Sequence, residues 1–160
     1  MLFKILIAGD GGQGVQTVAE VISRAAFLKN FFVSFIPNYG LEQRGGVSLA
    51  FIQIGDHEIS YPKFSVPDIL VVMSDQARER VAGYKRKSVK LIDIKDFQNI
   101  LIDNDIKNSS QNIFILGILG KILRFKKIIL DKEIFSILEK KLSGKVNWEE
   151  NKEAYLLANK

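Results

Sequence analysis

The chain contains no cysteine, and this absence excludes several kinds of chemistry. Without thiols, the chain forms no disulfides, offers no cysteine nucleophile and ligates no iron–sulfur cluster. Its single histidine, His57, leaves no zinc site built from His and Cys. No apolar run reaches the roughly 18 residues of a membrane span, and the first apolar strand follows Met1 directly. We therefore expect a cytoplasmic protein without a targeting segment.

The length and the charge of the chain restrict further which classes of protein the sequence allows. The 160 residues are 47% hydrophobic, which predicts one domain over 1–160 with a substantial core. Lys and Arg outnumber Asp and Glu by 23 to 18, and the excess is clustered. The clustered cations are Lys85, Arg86, Lys87, Lys121, Arg124, Lys126 and Lys127. An anionic ligand, an acidic partner or simply solvated surface would explain them. The repeated aromatics of a nucleic-acid platform are missing, so we expect no nucleic-acid partner.

The first part of the chain predicts a right-handed β-α-β unit. Strands are predicted at Leu2–Ala8 and Phe31–Ile36, and a helix with i, i+3, i+4 apolar spacing at about Gln13–Lys29. A third strand, Gly46–Ile54, is predicted to turn at Gly55-Asp56 into His57–Ser60 as an antiparallel hairpin.

The rest of the chain alternates strands and helices. Strands are predicted at Asp68–Met73 and Val89–Asp93, with a short helix at Asp75–Ala82 between them. Three further helices are predicted. The first spans Asn112–Phe125, the second begins at a cap at Asp131 and ends at Ser143-Gly144, and the third spans Trp148–Asn159 after an Asn147–Glu150 capping box. Residues 94–111 are predicted to be irregular. Together these patterns predict a three-layer α/β/α fold with a mixed, mainly parallel central sheet.

A glycine-rich turn lies between the first strand and the first helix. Gly9-Asp10-Gly11-Gly12-Gln13-Gly14 places four glycines within six residues. Backbone N–H groups at a helix N-terminus suit an anionic group, and glycine lets a ligand approach the backbone. A second glycine segment, Asn38–Gly46, follows the second strand. In an open α/β sheet both segments lie at the carboxyl edge, where ligands gather.

Several interpretations of the first turn remain open. It matches G-x-G-x-x-G, but the acidic residue of a dinucleotide site is missing near Pro37. Gly9-Asp10-Gly11 with Asn38 is also similar to the thiamine-diphosphate signature of Gly-Asp-Gly and Asn, although a complete domain of that kind would exceed this chain. No Gly-Lys-Ser/Thr follows, which excludes a P-loop. A last interpretation is that the turn binds no ligand and that the glycines only allow a tight connection between the strand and the helix.

Both glycine segments together resemble the gamma subunit of 2-oxoacid:ferredoxin oxidoreductases, the module that forms domain III of single-chain pyruvate:ferredoxin oxidoreductase. The resemblance rests on a set of motifs in order: Gly9-x-Gly-Gly-Gln-Gly14, Asn38-Tyr39-Gly40-x-Glu42-Gln43-Arg44-Gly45-Gly46, Tyr61-Pro62, Pro67-Asp68, Asn112–Gly117 and Asn151-x-x-Ala154-Tyr155. It extends over roughly residues 3–158, and the form of the second segment favours the 2-oxoglutarate branch.

The resemblance implies a subunit without a catalytic residue or metal of its own. Such complexes oxidatively decarboxylate a 2-oxoacid, pass electrons to ferredoxin and form an acyl-CoA. The resemblance places thiamine diphosphate, Mg and [4Fe–4S] clusters on alpha/beta-type and ferredoxin-like partner subunits, and coenzyme A in the assembled complex.

For this chain we predict a set of residues that bind coenzyme A or hold a neighbouring subunit: Gly11, Gly12, Gln13, Gly14, Asn38, Tyr39, Gln43, Arg44, Gly45 and Gly46. Two other hypotheses remain: a free-standing nucleotide- or anion-binding regulatory module, and a structural adaptor without a ligand.

Overall fold

The computed structural model describes residues 1–38 and 46–160, and within them a five-stranded sheet carries helices on both faces. The strands are β1 (Leu2–Asp10), β2 (Phe32–Asn38), β3 (Val47–Gly55), β4 (Ile69–Val72) and β5 (Lys90–Asp93). The α-helices are α1 (Val15–Leu28), α2 (Asp75–Arg80), α3 (Gln98–Asp103), α4 (Gln111–Phe125), α5 (Asp131–Leu142) and α6 (Trp148–Asn159).

The strand order is β2-β3-β1-β4-β5. Strand β3 runs antiparallel to β1 and β2, whereas β1, β4 and β5 are parallel to one another. Four strands therefore point in one direction and one opposes them, which confirms the predicted mixed, mainly parallel sheet. Because β3 lies between β1 and β2, the two strands of the predicted β-α-β unit are not neighbours.

The sheet divides the core into two unequal parts. Alternate residues of β1, such as Ile5 and Ile7, face a large cluster formed by α1, α4, α5 and α6. Leu6 and Ala8 face a smaller cluster that is completed by Ala77 of α2 and neighbouring loops. This alternation follows from the two-residue period of a strand, and it gives the three layers that the sequence predicts.

The predicted hairpin after the third strand is wrong. Residues 57–60 form no strand, and Gly55 pairs instead with Leu2 and Phe32 at the starts of β1 and β2. The long register between β1 and β3 satisfies the backbone groups of β3, so no local partner is needed. The exposed His57 lies beside Asp56, with Nδ1 and Oδ1 2.6 Å apart.

Two predicted helix caps also differ. Leu130, not Asp131, is the N-cap of α5, and the Glu133 carboxylate accepts a 2.9 Å hydrogen bond from the Leu130 N–H. At α6, Asn147 makes no side-chain cap, and the Glu150 carboxylate pairs with Lys107. Residues 94–111, predicted to be irregular, contain α3 and short 3-10 turns.

Helix α4 is buried along most of its length, as its apolar composition predicts. Its Gly117 packs directly on α6, where an added Cβ would lie 2.6 Å from the Ala158 Cβ. This contact confirms that a glycine in this helix permits close approach of a neighbouring element. No helix in the described part of the chain is long and apolar enough to cross a membrane.

Candidate functional site at the carboxyl edge of the sheet

The first glycine turn joins the end of β1 to the start of α1. Gly12 and Gly14 have φ angles of 92° and 75°, a backbone region that side-chain-bearing residues rarely adopt. The Gln13 N–H donates to the Asp10 carbonyl over 3.1 Å and closes the turn. Glycine at these two positions is therefore a requirement of the turn itself.

The Gln13 side chain fixes the turn to the neighbouring strand. Its Oε1 accepts a 2.7 Å hydrogen bond from the Asp10 N–H, and its Nε2 donates to the Met73 carbonyl just after β4 over 3.2 Å. The position of Oε1 also explains Gly9, because a Cβ there would lie 2.8 Å from that oxygen. Both ends of the Gln13 amide are thus engaged within the chain and hold the turn against β4. A contact of Gln13 with a ligand stays a prediction.

The second glycine segment meets the first turn. The Gly11 N–H donates a 2.9 Å hydrogen bond to the Gly46 carbonyl, directly beyond the pairing of Asp10 with Val47. Asn38, the first residue of the segment, pairs with Leu49 at the end of β2. Both ends of the second segment therefore lie at the edge that holds the first turn, as predicted. Of the predicted residues, Tyr39, Gln43, Arg44 and Gly45 lie outside the described part of the chain.

The amides of the turn are not equivalent. Those of Gly11 and Gln13 donate to carbonyls of the chain, whereas those of Gly12 and Gly14 have no acceptor among residues 1–38 and 46–160. Gly12 is exposed, and an added Cβ there would meet no atom of residues 1–38 or 46–160 within 4 Å. Helix α1 has no acidic residue in its first turn and no side-chain cap. The positive end of its dipole therefore meets no acidic side chain of the helix itself, and Asp10, the carboxylate of the preceding turn, accepts a hydrogen bond from Ser74.

A second helix begins against the same turn, a contact that the sequence pattern does not predict. Asn112, in the first turn of α4, packs so closely on Gly14 that an added Cβ would lie 2.1 Å from its Nδ2. Asn112 is 8% exposed, and its Oδ1 has no hydrogen-bond partner in the described structure. Helix α4 likewise lacks an acidic first turn and a side-chain cap. The N-termini of α1 and α4 therefore converge at this turn. In the sequence, the Asn112–Gly117 motif is the feature that could have indicated this contact.

A cleft of about 720 Å³ opens beside the turn. Helix α1 leaves β1 on one face of the sheet and α2 leaves β4 on the other, so the cleft lies at the point where the chain direction switches. Ser74 lies at its base, where its Oγ donates a 2.6 Å hydrogen bond to Asp10 Oδ1 and accepts from the Ala77 N–H at the start of α2.

The two cations that line this cleft are paired. Arg78 binds Asp93 through Nη2 and Nε, at 2.7 and 2.8 Å, and also pairs with Asp75. Burial alone would raise the pKa of Asp93, but its hydrogen bonds to Arg78 and to the Lys95 N–H lower it overall. Lys95 Nζ lies 2.5 Å from Asp75 Oδ1, and this contact, with Arg78, lowers the pKa of Asp75. A further cation for an anionic ligand would have to come from elsewhere at this edge.

The described residues contain no group of three His, Cys, Asp or Glu side chains that could hold a metal. The site thus offers backbone amides, glycine-lined access and a polar cleft. These are features of a binding surface.

Residues 4–159 match the family described as pyruvate ferredoxin/flavodoxin oxidoreductase. The chain belongs to this family. Members with curated names are similar over parts of their length. A 2-oxoglutarate synthase subunit KorC from Methanothermobacter thermautotrophicus is 51% identical over 75 residues, which cover 46% of this chain and 40% of that protein. Its counterpart from Methanocaldococcus jannaschii is 36% identical over 109 residues, which cover 68% and 54%.

A common gamma subunit of pyruvate/ketoisovalerate oxidoreductases from Thermococcus litoralis is 33% identical over 95 residues, which cover 57% of this chain and 51% of that protein. The chain thus spans about half the length of the curated family members that it matches.

Solved structures of the family share the fold. A keto/oxoacid ferredoxin oxidoreductase gamma subunit from Geobacter sulfurreducens superposes with a TM-score of 0.77 at 17% identity, covering 99% of this chain and 95% of that one. A 2-oxoglutarate:ferredoxin oxidoreductase from Magnetococcus marinus, solved with 2-oxoglutarate, coenzyme A and succinyl-CoA bound, gives a TM-score of 0.81 at 17% identity, covering 98% of this chain and 30% of that one.

Proposed function

We propose that this chain is the gamma subunit of a 2-oxoacid:ferredoxin oxidoreductase, with 2-oxoglutarate as the favoured substrate. The observation that carries the proposal is the hydrogen bond between Gly11 and Gly46, which joins the two glycine segments of the family at one edge of the sheet. The choice of 2-oxoglutarate is supported by 51% identity over 75 residues to one 2-oxoglutarate synthase subunit and 36% over 109 residues to another, against 33% over 95 residues to a pyruvate/ketoisovalerate one.

In this proposal the chain supplies a wall of the complex and contacts coenzyme A. Coenzyme A, when bound, supplies the thiol that accepts the acyl group. The reactive centres, thiamine diphosphate with Mg and the [4Fe–4S] clusters, belong to alpha/beta-type and ferredoxin-like partner subunits. A chain without cysteine suits that division, since it ligates no cluster.

The residues at the carboxyl edge fit an anionic group such as a coenzyme A phosphate. Gly12 is exposed, an added Cβ there would contact no side chain in the described part of the chain, and the uncapped start of α1 favours negative charge. Arg44 and Gln43 belong to the segment that Gly46 anchors there, and a guanidinium offers a fork that binds phosphate. In this proposal the amides of Gly12 and Gly14, with Arg44, hold the phosphate or pantetheine part of coenzyme A.

Reconstitution tests this function. The chain is co-expressed with thiamine- and cluster-bearing subunits from the same source, and viologen reduction is measured with 2-oxoglutarate, pyruvate and 2-oxoisovalerate. We expect a stable complex with CoA-dependent activity, highest with 2-oxoglutarate. A chain that stays alone and binds a nucleotide with micromolar affinity would instead support a free-standing regulatory module. A chain that does neither would support a structural adaptor.

A further inference from the structure

The basic segments of the sequence meet at the amino edge of the sheet, opposite the glycine turn. A groove of about 660 Å³ runs between the starts of β4 and β5 and the C-terminal end of α4, and Lys90, Lys121 and Lys126 line it. Asp68 also lines the groove, and its carboxylate accepts a 2.7 Å hydrogen bond from the Lys4 N–H. Segments 85–90 and 121–127 carry eight cations and no acidic residue, whereas the rest of the chain carries 15 cations and 18 acidic residues. The whole positive excess of the chain thus comes from segments that face this edge.

Most of these cations have no carboxylate partner. Arg124 pairs with Asp131, but the other seven make no ion pair with any residue in the described ranges. Some positive charge at the end of α4 is expected, because cations stabilise a helix C-terminus. That effect does not explain Lys90, which lies at the start of β5 on the sheet side of the groove, or the three cations at 85–87 that precede it in the sequence.

The groove also has an apolar part. Phe125, between Arg124 and Lys126, is 85% exposed, and Phe3, Ile69 and Ile122 line the groove beside it. Where α1 ends and β2 begins, at the same end of the molecule, three more large apolar side chains are exposed. They are Phe27, Leu28 and Phe32. Exposed aromatic side chains are enriched at protein interfaces. In the isolated chain they leave apolar surface in contact with water, and burying that surface on a partner is favourable.

We propose that this edge, with the Lys90–Lys121–Lys126 groove at its centre, docks an acidic surface of another subunit of the oxidoreductase. The occupant carries carboxylates opposite the lysines and an apolar side chain that packs on Phe125. Charge complementarity supports this choice, because a surface of unpaired lysines attracts carboxylates and repels basic partners. The proposal rests on the proposed function, since it takes the partner from the same complex.

Binding to the rest of the complex tests the docking surface. The other subunits are expressed and purified without this chain, and the dissociation constant is measured by interferometry between 50 and 300 mM NaCl. For Lys121→Glu/Lys126→Glu we expect binding about tenfold weaker at low salt and a shallower salt dependence, because attractive pairs become repulsive. The control Lys140→Glu/Lys145→Glu makes the same charge change at exposed lysines of the α5 region and should bind like the wild type.

The apolar part has its own variant. Phe125→Ser should weaken binding about tenfold with the salt dependence unchanged, since it removes contact area and no charge. The control is Val146→Ser, at a fully exposed apolar position far along the chain. Circular dichroism and urea unfolding of each variant establish that these surface changes leave the fold intact.

The outcomes separate the two proposals. If the double lysine variant binds the other subunits with the dissociation constant of the wild type, the docking proposal is wrong and the proposed function is unaffected. A wild-type chain that does not bind the other subunits overturns both. A labelled 20-nucleotide DNA is tested in parallel. If the lysine variant loses DNA binding but keeps subunit binding, the surface serves nucleic acid and the docking proposal is wrong.

Discussion

The backbone N–H of Gly11 lies 2.9 Å from the carbonyl of Gly46 and donates a hydrogen bond to it. These residues are far apart in sequence. Gly11 belongs to the glycine-rich segment after β1 and Gly46 to the one after β2, and these two strands run in the same direction. Because β3 returns antiparallel between β1 and β2, the end of the second segment is placed beside the first turn. The contact places Gly46, the end of the second segment, against the first turn, and the following predictions test how this edge of the sheet is built and used.

Gly14 is predicted to be required for both its backbone conformation and its contact with α4. A Cβ at Gly14 would combine a φ of 75° with an overlap on the buried Asn112 side chain. We expect Gly14→Ala to lower the free energy of unfolding by about 2–4 kcal/mol in urea titrations.

The matched control is Gly12→Ala, where φ is 92° but the surrounding space is open. It should cost only the backbone strain, about 1–2 kcal/mol. Adding Asn112→Ala to Gly14→Ala should recover part of the loss. Equal effects of the two single alanine variants would show that the contact with Asn112 carries no weight.

Gln13 is predicted to be a structural residue of the turn. Gln13→Ala removes the hydrogen bonds to the Asp10 N–H and the Met73 carbonyl, so unfolding should become easier by about 1–3 kcal/mol. Gln13→Glu keeps the acceptor and should lose less. The exposed Gln98 lines the same cleft and makes no such bonds, so Gln98→Ala should stay near the wild type. A Gln13→Ala protein of wild-type stability would refute this role.

The Arg78–Asp93 pair is predicted to make stability depend on acidic pH. Because the folded-state pKa of Asp93 is lowered, the pair stabilises the fold above the ordinary carboxyl pKa of about 4, and this stabilisation is lost as the pH falls below it. Arg78→Met should therefore cost about 1–3 kcal/mol at pH 7, a value reduced because the Arg78 side chain is 35% exposed.

The measurement is urea unfolding between pH 7 and pH 2, and the difference from the wild type should narrow as the pH is lowered. Arg24→Met, which breaks an exposed pair with Glu20 at 3.7 Å, should change stability by at most about 0.5 kcal/mol. A constant difference across the pH range would mean that Arg78 acts through packing alone.

Gly117 is predicted to set the distance between α4 and α6. Alanine is the better helix former by about 1 kcal/mol, but its Cβ would lie 2.7 Å from the Tyr155 carbonyl oxygen, which cannot move freely. We expect a net loss of about 1–3 kcal/mol for Gly117→Ala. Gly83→Ala, in open space, should be within about 0.5 kcal/mol of the wild type. Stabilisation by Gly117→Ala would contradict the observed packing.

Local sequence patterns predicted those helices in which apolar residues repeat at the helical spacing. Helix α1 and the buried helix α4 were recognisable from their apolar spacing, and their observed bounds differ by only one or two residues from the prediction. Helix α3 was missed because it is six residues long and buries only Leu101, which is too little to produce a period.

Pairing between distant strands was the harder problem. The sequence near Gly55 suits a hairpin, but β3 finds its partners in β1 and β2, and no local pattern encodes that choice. The same limit applies to the site. The glycines were identified from their spacing, whereas the role of the Gln13 amide and the contact of Asn112 with Gly14 depend on long-range packing.

The most direct test of the account is the Michaelis constant for coenzyme A in the assembled enzyme with Arg44→Ala. If the edge where the glycine segments meet binds the phosphate groups of coenzyme A, loss of the guanidinium should raise KM about tenfold while kcat and assembly stay near the wild type. Arg24→Ala, on the outer face of α1, serves as the control. An unchanged KM in a fully assembled complex would contradict the account.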